Sequence, residues 1–375
     1  MVAEQVFVNG RMLRSGYTTG TCATAATKAA AEMLLCGKPV DSVEITVPRG
    51  DVLILKIEDI AIGGESVRCA VRKDAGDDID ATDGALIYSS VSRRADGKYA
   101  VEGGKGVGRV TRKGLDQPVG NAAINRVPRQ MISEVLEDVA EMHLWSGGLE
   151  AVIDVPEGEN IAVRTFNPNL GIVGGISILG TSGIVEPMSE KALIETIKKE
   201  MDMHFAEGKR DILLVPGNYG EKYSQGMEDA GSSSAVKCSN FIGDALDHAL
   251  YLGVEGVLLV GNIGKLVKVA GGIMNTHSRN ADSRMEIMTA HAIAVGADAD
   301  LGREIMSCVT TESALDVLNS AGIMEDVVGR LAERAEYHMR HRTDGKIDVG
   351  TVIFSSNYGR IAQSPGAEAL IRRLA

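Results

Sequence analysis

The sequence predicts an α+β N-terminal domain over residues 1–188, followed over 189–375 by an α/β domain with a mostly parallel, doubly wound sheet. Three observations carry this. The chain has 375 residues, and single hydrophobic cores stop growing near roughly 250–300. Up to residue 188, short β-branched runs follow one another between turn sequences. From Ser189 onward, short apolar runs alternate with helix-period segments, the pattern of buried strands joined through helices.

The first domain is organised around Arg14–Leu35, RSGYTTGTCATAATKAAAEMLL. A Gly- and Thr-rich turn runs into an Ala-dense helix. Thr19 or Thr21 is placed to cap the first free N–H groups. Gly16 and Gly20 allow a sharp turn and a close approach to a bound group. A helix start of this kind favours an anion; it also suits an ordinary capped helix packed through alanines. Val43–Val47 and Val52–Glu58 read as strands around the turn Pro48-Arg49-Gly50-Asp51, and Ser66–Arg72 continues the sheet. Residues 74–84, DAGDDIDATDG, offer carboxylates to a divalent cation but lack the calcium-loop spacing. Aspartates capping turns is the simpler reading.

Residues 85–113 are β-rich. Gly103, Gly104, Gly106 and Gly108 do not make a dinucleotide fingerprint: the frame from Gly104 needs glycine at 109 and meets Arg109, and a strand-like segment follows instead of a helix. A glycine-rich hairpin fits better. Pro128 suits a first helical position, and Met131, Ile132, Val135, Leu136, Val139 and Met142 recur at helical spacing. Leu149–Val155 and Asn160–Thr165 read as a strand pair. Residues 166–187, apolar and Gly-punctuated, either line a ligand cavity or cross a core.

In the second domain a helix runs from Ser189 to about Phe205, with Leu193, Ile197, Met201 and Phe205 on one face. Buried strands are expected at Asp211–Val215, Val257–Val260 and Val349–Phe354. Helices are expected over 234–252, 280–297, 311–321 and 324–341, and one closes the chain. PGNYG (216–220), GNIG (261–264) and SSNYG (355–359) fall just past strand ends, where ligands bind in such sheets.

Composition excludes several function classes. The formal net charge of −12 argues against a general nucleic-acid binder or a protein held on anionic lipid. The 5 cysteines are scattered with no CxxC pair, against a zinc site or redox dithiol and in favour of a cytoplasmic protein with free thiols. No signal-peptide core and no apolar run near the roughly 20 residues of a membrane span is present. Glycine is high, 44 residues against a usual share of roughly 7%, which means many tight loops. Walker A, nucleophile-elbow and zinc-protease motifs are absent.

Local charge is more informative. Residues 261–284 carry Lys265, Lys268, His277, Arg279 and Arg284 against Asp282 alone. Residues 109–129 carry Arg109, Arg112, Lys113, Arg126 and Arg129 against Asp116. Each is either a solvated face or a cleft that orients a polyanion.

Nine segments in order resemble those of the cobalt-precorrin-5B C1-methyltransferase family of anaerobic cobalamin biosynthesis: GYTTGTCA (16–23), DAGDD (74–78), GVGRVTRKGL (106–115), AINRVPR (123–129), NPNLGIVGGISILGTSGIV (167–185), PGNYG (216–220), SNFIGDAL (239–246), GNIGKLVKVAGG (261–272) and NTHSRNAD (275–282). The resemblance implies a Rossmann-like second domain. It implies methyl transfer from S-adenosyl-L-methionine to C1 of cobalt-precorrin-5B, giving cobalt-precorrin-6A. Cobalt would arrive with this tetrapyrrole, and no protein-bound metal is expected. Asn262 stands where the family leads one to expect histidine. On this reading the cofactor lies at Gly217, Asn218, Tyr219, Gly220, Gly261 and Asn262. The macrocycle carboxylates meet Thr18, Thr19, Gly20, Thr21, Lys265, Lys268, Thr276 and Arg279. If a base is needed, His277 is first and Asp282 second. The rival readings are a non-catalytic tetrapyrrole or nucleotide carrier and another nucleotide-dependent enzyme. Neither the oligomeric state nor the order of binding is legible.

Overall fold

In the computed structural model, which describes residues 5–8, 10–217 and 235–375, the chain separates into Met1–Glu190 and Lys191–Ala375. In chain order the first unit contains β1 (Gln5–Val8), β2 (Arg11–Arg14), β3 (Gly16–Tyr17), α1 (Thr19–Cys36), β4 (Ser42–Thr46), β5 (Val52–Lys56), β6 (Glu58–Ile62), β7 (Ser66–Arg72), β8 (Leu86–Arg94), β9 (Tyr99–Gly103), β10 (Gly106–Val107), β11 (Arg109–Val110), α2 (Arg126–Met142), β12 (Gly148–Asp154), α3 (Gly158–Ala162), β13 (Ile172–Val173), β14 (Gly175–Ile176) and β15 (Ile184–Val185). Its main sheet has the order β6-β7-β8-β12-β9, antiparallel except for the parallel β12–β9 pair.

Helix α1 packs on β7, β8 and α2. Ala23, Ala25, Ala26, Ala29, Ala30 and Ala31 are fully buried, and their small side chains let the helix lie close to the sheet. Its buried hydroxyls are satisfied: Thr24 and Thr27 donate to the carbonyls of Gly20 and Ala23, and Thr27 Oγ1 lies 2.8 Å from Ser89 Oγ. The N-cap is Thr18, whose hydroxyl accepts from Thr21 N at 3.2 Å, rather than Thr19 or Thr21. Helix α2 buries Ile132, Leu136 and Val139 completely, each contributing roughly 1.5–3 kcal/mol. It begins at Arg126, so Pro128 is the third helical residue; the first turn needs no N–H donor there.

Several expectations are corrected here. Ser66–Arg72 does not continue the sheet of the two preceding strands. The β4–β5 hairpin stands as a separate pair, and β6, which the sequence did not suggest, leads into the main sheet. The glycines of 103–108 form no hairpin. Strand β9 pairs with β12, whereas β10 runs parallel to β14, Gly106 opposite Gly175. A Cβ at Gly106 would stand 1.8 Å from Val155 O, at a φ of +72°. The glycines are thus where two backbones cross. Residues 160–165 are not a strand: Pro156 cannot donate to the ladder, and α3 follows as a helical turn. The 166–187 segment crosses the core as β13, β14 and β15, with Ile176 and Ile178 buried.

The acidic loop caps turns, as expected. Asp74 takes both Arg14 terminal nitrogens, at 2.6 and 2.7 Å, and Gly76 N; Asp83 accepts Ala75 N. Asp80 accepts from buried Lys73 and from Thr82 N and Oγ1.

The second unit contains α4 (Glu190–Ala206), β16 (Asp211–Val215), β17 (Ala235–Lys237), α5 (Ile242–Leu252), β18 (Gly256–Asn262), α6 (Ile263–Ala270), α7 (Arg284–Ala294), α8 (Ala299–Ser307), α9 (Thr311–Ser320), α10 (Met324–Arg342), β19 (Asp348–Ser355), β20 (Gly359–Gln363) and α11 (Ala367–Leu374). Its sheet has the order β17-β16-β18-β19-β20. The first four strands are parallel and β20 is an antiparallel edge. Side chains alternate across it. Leu213, Val215, Leu258, Val260, Val352 and Phe354 pack with Ala367 and Leu370 of α11. Ile212, Leu214, Val257, Leu259 and Ile353 face the core built by α4, α5, α6, α7, α9 and α10. Helices therefore cover both faces.

The expected helix 234–252 begins only at Ile242, because Val236 is buried in the sheet as part of β17. The expected helix 280–297 is shorter, Arg284–Ala294. Gly296 turns the chain at a φ of 105°, and Asp298 caps a second helix, α8, accepting from Asp300 N and Leu301 N. The strand expected at Val257–Val260 runs on through Asn262 as β18, so that GNIG lies across its end and the start of α6 at Ile263 and not past it.

Candidate active site at the carboxyl ends of the parallel strands

Counted along the chain, the second sheet has the order 2-1-3-4-5, and its neighbouring first and third strands, β16 and β18, continue to opposite sides. This is a topological switch point, where the carboxyl ends of open parallel sheets leave a crevice. Gly217 follows β16 at its mouth, with a φ of 89°, and Gly261-Asn262 end β18. A Cβ at Gly261 would meet Leu266 Cδ1 at 2.5 Å and Pro216 Cγ at 2.9 Å, so only glycine lets the strand end pass Pro216. Asn218, Tyr219 and Gly220 lie outside the described residues.

Asn262 caps α6: its Oδ1 accepts Gly264 N at 2.9 Å, which gives an asparagine at this position a structural role. From the first turn of α6, Lys265 sends its half-buried ammonium to Ser239 O at 3.1 Å. A Cβ placed on Gly217 would lie 3.3 Å from that nitrogen. Burial, with Lys268 as a lesser cause, pushes the Lys265 ammonium below the usual lysine range, against a pull upward from Cys238.

The segment 275–282 folds onto 239–243. Thr276 N donates to Asn240 O, Thr276 Oγ1 to Asn240 Oδ1, and Gly243 N to Met274 O. Lys268 fixes this loop from below. It is buried, and its Nζ donates to Thr276 O at 3.2 Å and Ala281 O at 2.8 Å. The expectation that Lys268 meets a substrate carboxylate is corrected accordingly: its charge is spent inside the protein. Thr276 is buried and holds the loop. Arg279 is exposed, and among the described residues no carboxylate pairs with its guanidinium.

The two candidate bases differ. Asp282 is held by Arg284, through Nε and through Nη2 at 2.9 Å. That hydrogen-bonded guanidinium holds its carboxyl below the usual carboxylate range, which makes it a poor proton acceptor. His277 is exposed, and its Nδ1 accepts Arg279 N at 3.1 Å. The neutral ring assigned from that bond carries its proton on Nε2, so His277 offers a donor outward rather than a free lone pair.

Thr18, Thr19, Gly20 and Thr21 belong to the first unit, and their polar groups are engaged there. Thr21 Oγ1 donates to Gly183 O at 2.6 Å, Leu179 N donates to Thr19 Oγ1 at 3.0 Å, and Gly20 N donates to Leu179 O. Gly20 packs on Pro128, 2.7 Å from where its Cβ would be. The helix start expected to receive an anion is filled by the chain's own 177–183 segment.

Sequence reasoning missed a contact at the carboxyl end of β19, the strand that follows β18 on the side away from β16. Ser355, at the end of β19, donates through Oγ to Glu312 at 2.5 Å, and Ser356 N donates to the other carboxylate oxygen at 2.8 Å. Glu312 opens α9 beside Thr311, whose Oγ1 would be 3.5 Å from a Cβ on Gly264. The signals were the SSNYG wording and the Thr310–Ser313 capping box; neither names a partner. Among the described residues no group of three or more His, Cys, Asp or Glu stands in an arrangement able to hold a metal ion.

The family model described as CbiD matches residues 6–187, and that described as CbiD, C-terminal domain, matches 275–365. A cobalt-precorrin-5B C(1)-methyltransferase from Ruminiclostridium cellulolyticum is 47% identical over 352 residues, covering 94% of this chain and 91% of the relative. One of the same name from Alkaliphilus metalliredigens is 46% identical over 369 residues, covering 98% and 97%. A crystal structure titled cobalamin biosynthesis protein (cbiD) from Archaeoglobus fulgidus is 28% identical, with a TM-score of 0.41, over 75% of this chain and 87% of that one. Ordered segments and near-full-length identity together place the chain: it belongs to the CbiD family, whose curated relatives carry the name cobalt-precorrin-5B C(1)-methyltransferase.

Proposed function

We propose that the chain methylates C1 of cobalt-precorrin-5B, with S-adenosyl-L-methionine held in the β16–β18 crevice of a Rossmann-like second domain. The observation that supports this placement is the switch point itself, with Gly217 at the end of β16 bringing backbone, not a side chain, up to the Lys265 ammonium. The residues present fit such a ligand: backbone at the strand ends for its adenosyl part, polar groups at Ser239, Asn262 and Lys265, and glycine where the ligand must come close.

The cosubstrate supplies an electrophilic methyl group on sulfur, and its transfer to a nucleophilic ring carbon is an in-line displacement. The protein's work is alignment and exclusion of water. Gly217 sets how near the ligand comes to the end of β16, and Gly261 lets the end of β18 pack against Pro216 and Leu266. Lys268 and Asn240 hold the 275–282 loop in one shape, so that Arg279 meets the acetate and propionate arms of the tetrapyrrole. Arg279 suits this by its forked geometry. His277 presents its Nε2–H to an acceptor on the macrocycle. Thr18–Thr21 act from within the first unit, by framing its turn rather than touching a carboxylate. We place the protein in the cytoplasm, with no resident metal. All five cysteines are free, and among the described residues no helix is long and apolar enough to cross a membrane.

The experiment is calorimetry with S-adenosylhomocysteine against ATP and NAD, followed by turnover of cobalt-precorrin-5B with methyl-labelled cosubstrate. Selective binding of the homocysteine compound and one label per product are expected. Binding of ATP or NAD alone would sink the reading. Affinity for the tetrapyrrole without label transfer would favour a carrier.

A further inference from the structure

Lys265 differs from Lys268, Arg279 and Arg284, the other cations of the 261–284 segment. Lys268 gives its ammonium to two carbonyls, Arg284 is paired with Asp282, and Arg279 is out in solvent. The half-buried Lys265 ammonium has three donors. The structure gives it one hydrogen bond, to Ser239 O, and among the described residues no carboxylate. Ser239 itself is in the left-handed region at a φ of 52°, a conformation uncommon outside glycine. Its carbonyl faces the Lys265 ammonium. A cation drawn out of water and given a single neutral partner favours an incoming anion. Its position narrows which anion. The nitrogen lies at the end of β16 beside Gly217, 3.3 Å from where a Cβ on that glycine would stand, and Gly217 itself puts no side chain in the way. It therefore reaches a ligand seated at the strand ends, whereas the exposed Arg279 suits the mobile arms of a macrocycle.

We propose that Lys265 is the specificity-determining residue for the cosubstrate, its ammonium taking the α-carboxylate of the methionine part of S-adenosylmethionine, with Ser239 O fixing the direction of approach. This rests on the reading of the crevice above and refines it: the carboxylate at Lys265 belongs to the cosubstrate, not to the tetrapyrrole. The consequence is discrimination. Adenosine compounds lacking that carboxylate bind poorly, and one end of the donor is anchored so that its methyl group points in a fixed direction.

The test compares S-adenosylhomocysteine with S-adenosyl-3-thiopropylamine, which lacks only the carboxylate. Both are titrated into the full-length protein and into its Lys265→Met and Lys265→Arg variants, each checked for native circular dichroism. The wild type is expected to prefer the carboxylate compound by roughly 10- to 100-fold, the range of a charge-assisted hydrogen bond. Lys265→Met should lose that preference by weakening S-adenosylhomocysteine alone, leaving the thiopropylamine within about twofold. Lys265→Arg, which keeps the charge, should retain part of it and covers the case in which the methionine variant does not fold. Equal weakening of both compounds, or unchanged affinity for the carboxylate compound with a raised KM for the tetrapyrrole, overturns the assignment while leaving the crevice reading intact. A wild type that binds neither compound overturns the crevice reading and the assignment together.

Discussion

At the residue scale, one side chain can hold a whole loop. Lys268 has its ammonium inside the protein, and two carbonyls 8 and 13 residues further along the chain, those of Thr276 and Ala281, depend on it. Lys268→Met leaves the buried Thr276 carbonyl and the part-buried Ala281 carbonyl without this donor. It should lower stability by about 2 kcal/mol and reduce turnover further, because the 275–282 loop loses its anchor. Urea unfolding beside a turnover assay checks this; a variant equally stable and active would contradict it. Asn262 makes a smaller claim. Asn262→Ala should cost about 1 kcal/mol, the usual loss of an N-cap, and Asn262→Asp should cost less than alanine does. Thermal unfolding of the two variants separates them. The residue identities were legible in the sequence, but their roles were not. Lys265 and Lys268 are three apart and read alike; the fold sends one ammonium to the crevice and the other inward.

At the scale of elements, backbone crossings and ion pairs decide stability. Strand β10 and the turn after β12 meet with no room for a side chain at Gly106. Gly106→Ala should therefore cost more than about 4 kcal/mol, among the largest single-residue effects, and abolish soluble expression at 37 °C; a folded variant of ordinary stability would refute the crossing. The 74–84 loop responds to acid. The hydrogen-bonded Arg14 guanidinium holds the Asp74 carboxyl below the usual range. For Asp80, burial pushes the carboxyl up, but Lys73 and the Thr82 hydrogen bonds outweigh it and leave it lowered. A depressed folded-state pKa contributes stability that is fully present above the unfolded value, roughly 3.9 for aspartate. That contribution is lost as pH falls through the folded value. Stability should thus decline below about pH 4, and Asp80→Asn should flatten the decline, as denaturant midpoints measured across that range would register.

At the scale of the whole molecule, thiol accessibility reports the integrity of both cores. Burial pushes the Cys22, Cys69 and Cys238 thiols up to about 12, while Cys36 is exposed. A thiol reagent at neutral pH should label Cys36 rapidly in the native protein and reach Cys22, Cys69 and Cys238 only on unfolding. Rapid labelling of Cys22 would contradict the packing of α1, and rapid labelling of Cys238 that of the second sheet.

The order of residues was enough to identify the family, through nine short segments in succession. It also determined the alternation of buried strands and helices in the second half, because a strand covered on both faces must be apolar throughout. The turn-capping role of the aspartates was readable for a similar reason: it depends on neighbours a few residues away. Which strands pair came from the folded structure. The glycines of 103–108 suit a hairpin and a crossing equally well, and Gly175, which settles the matter, lies some seventy residues on. The folded structure alone showed that Thr18–Thr21 are satisfied by the 177–183 segment, and that Glu312 accepts from Ser355 and Ser356 at the end of β19. Local chemistry is written in neighbouring residues. Which buried group meets which is set by packing between distant parts of the chain, and no spacing along the sequence records it.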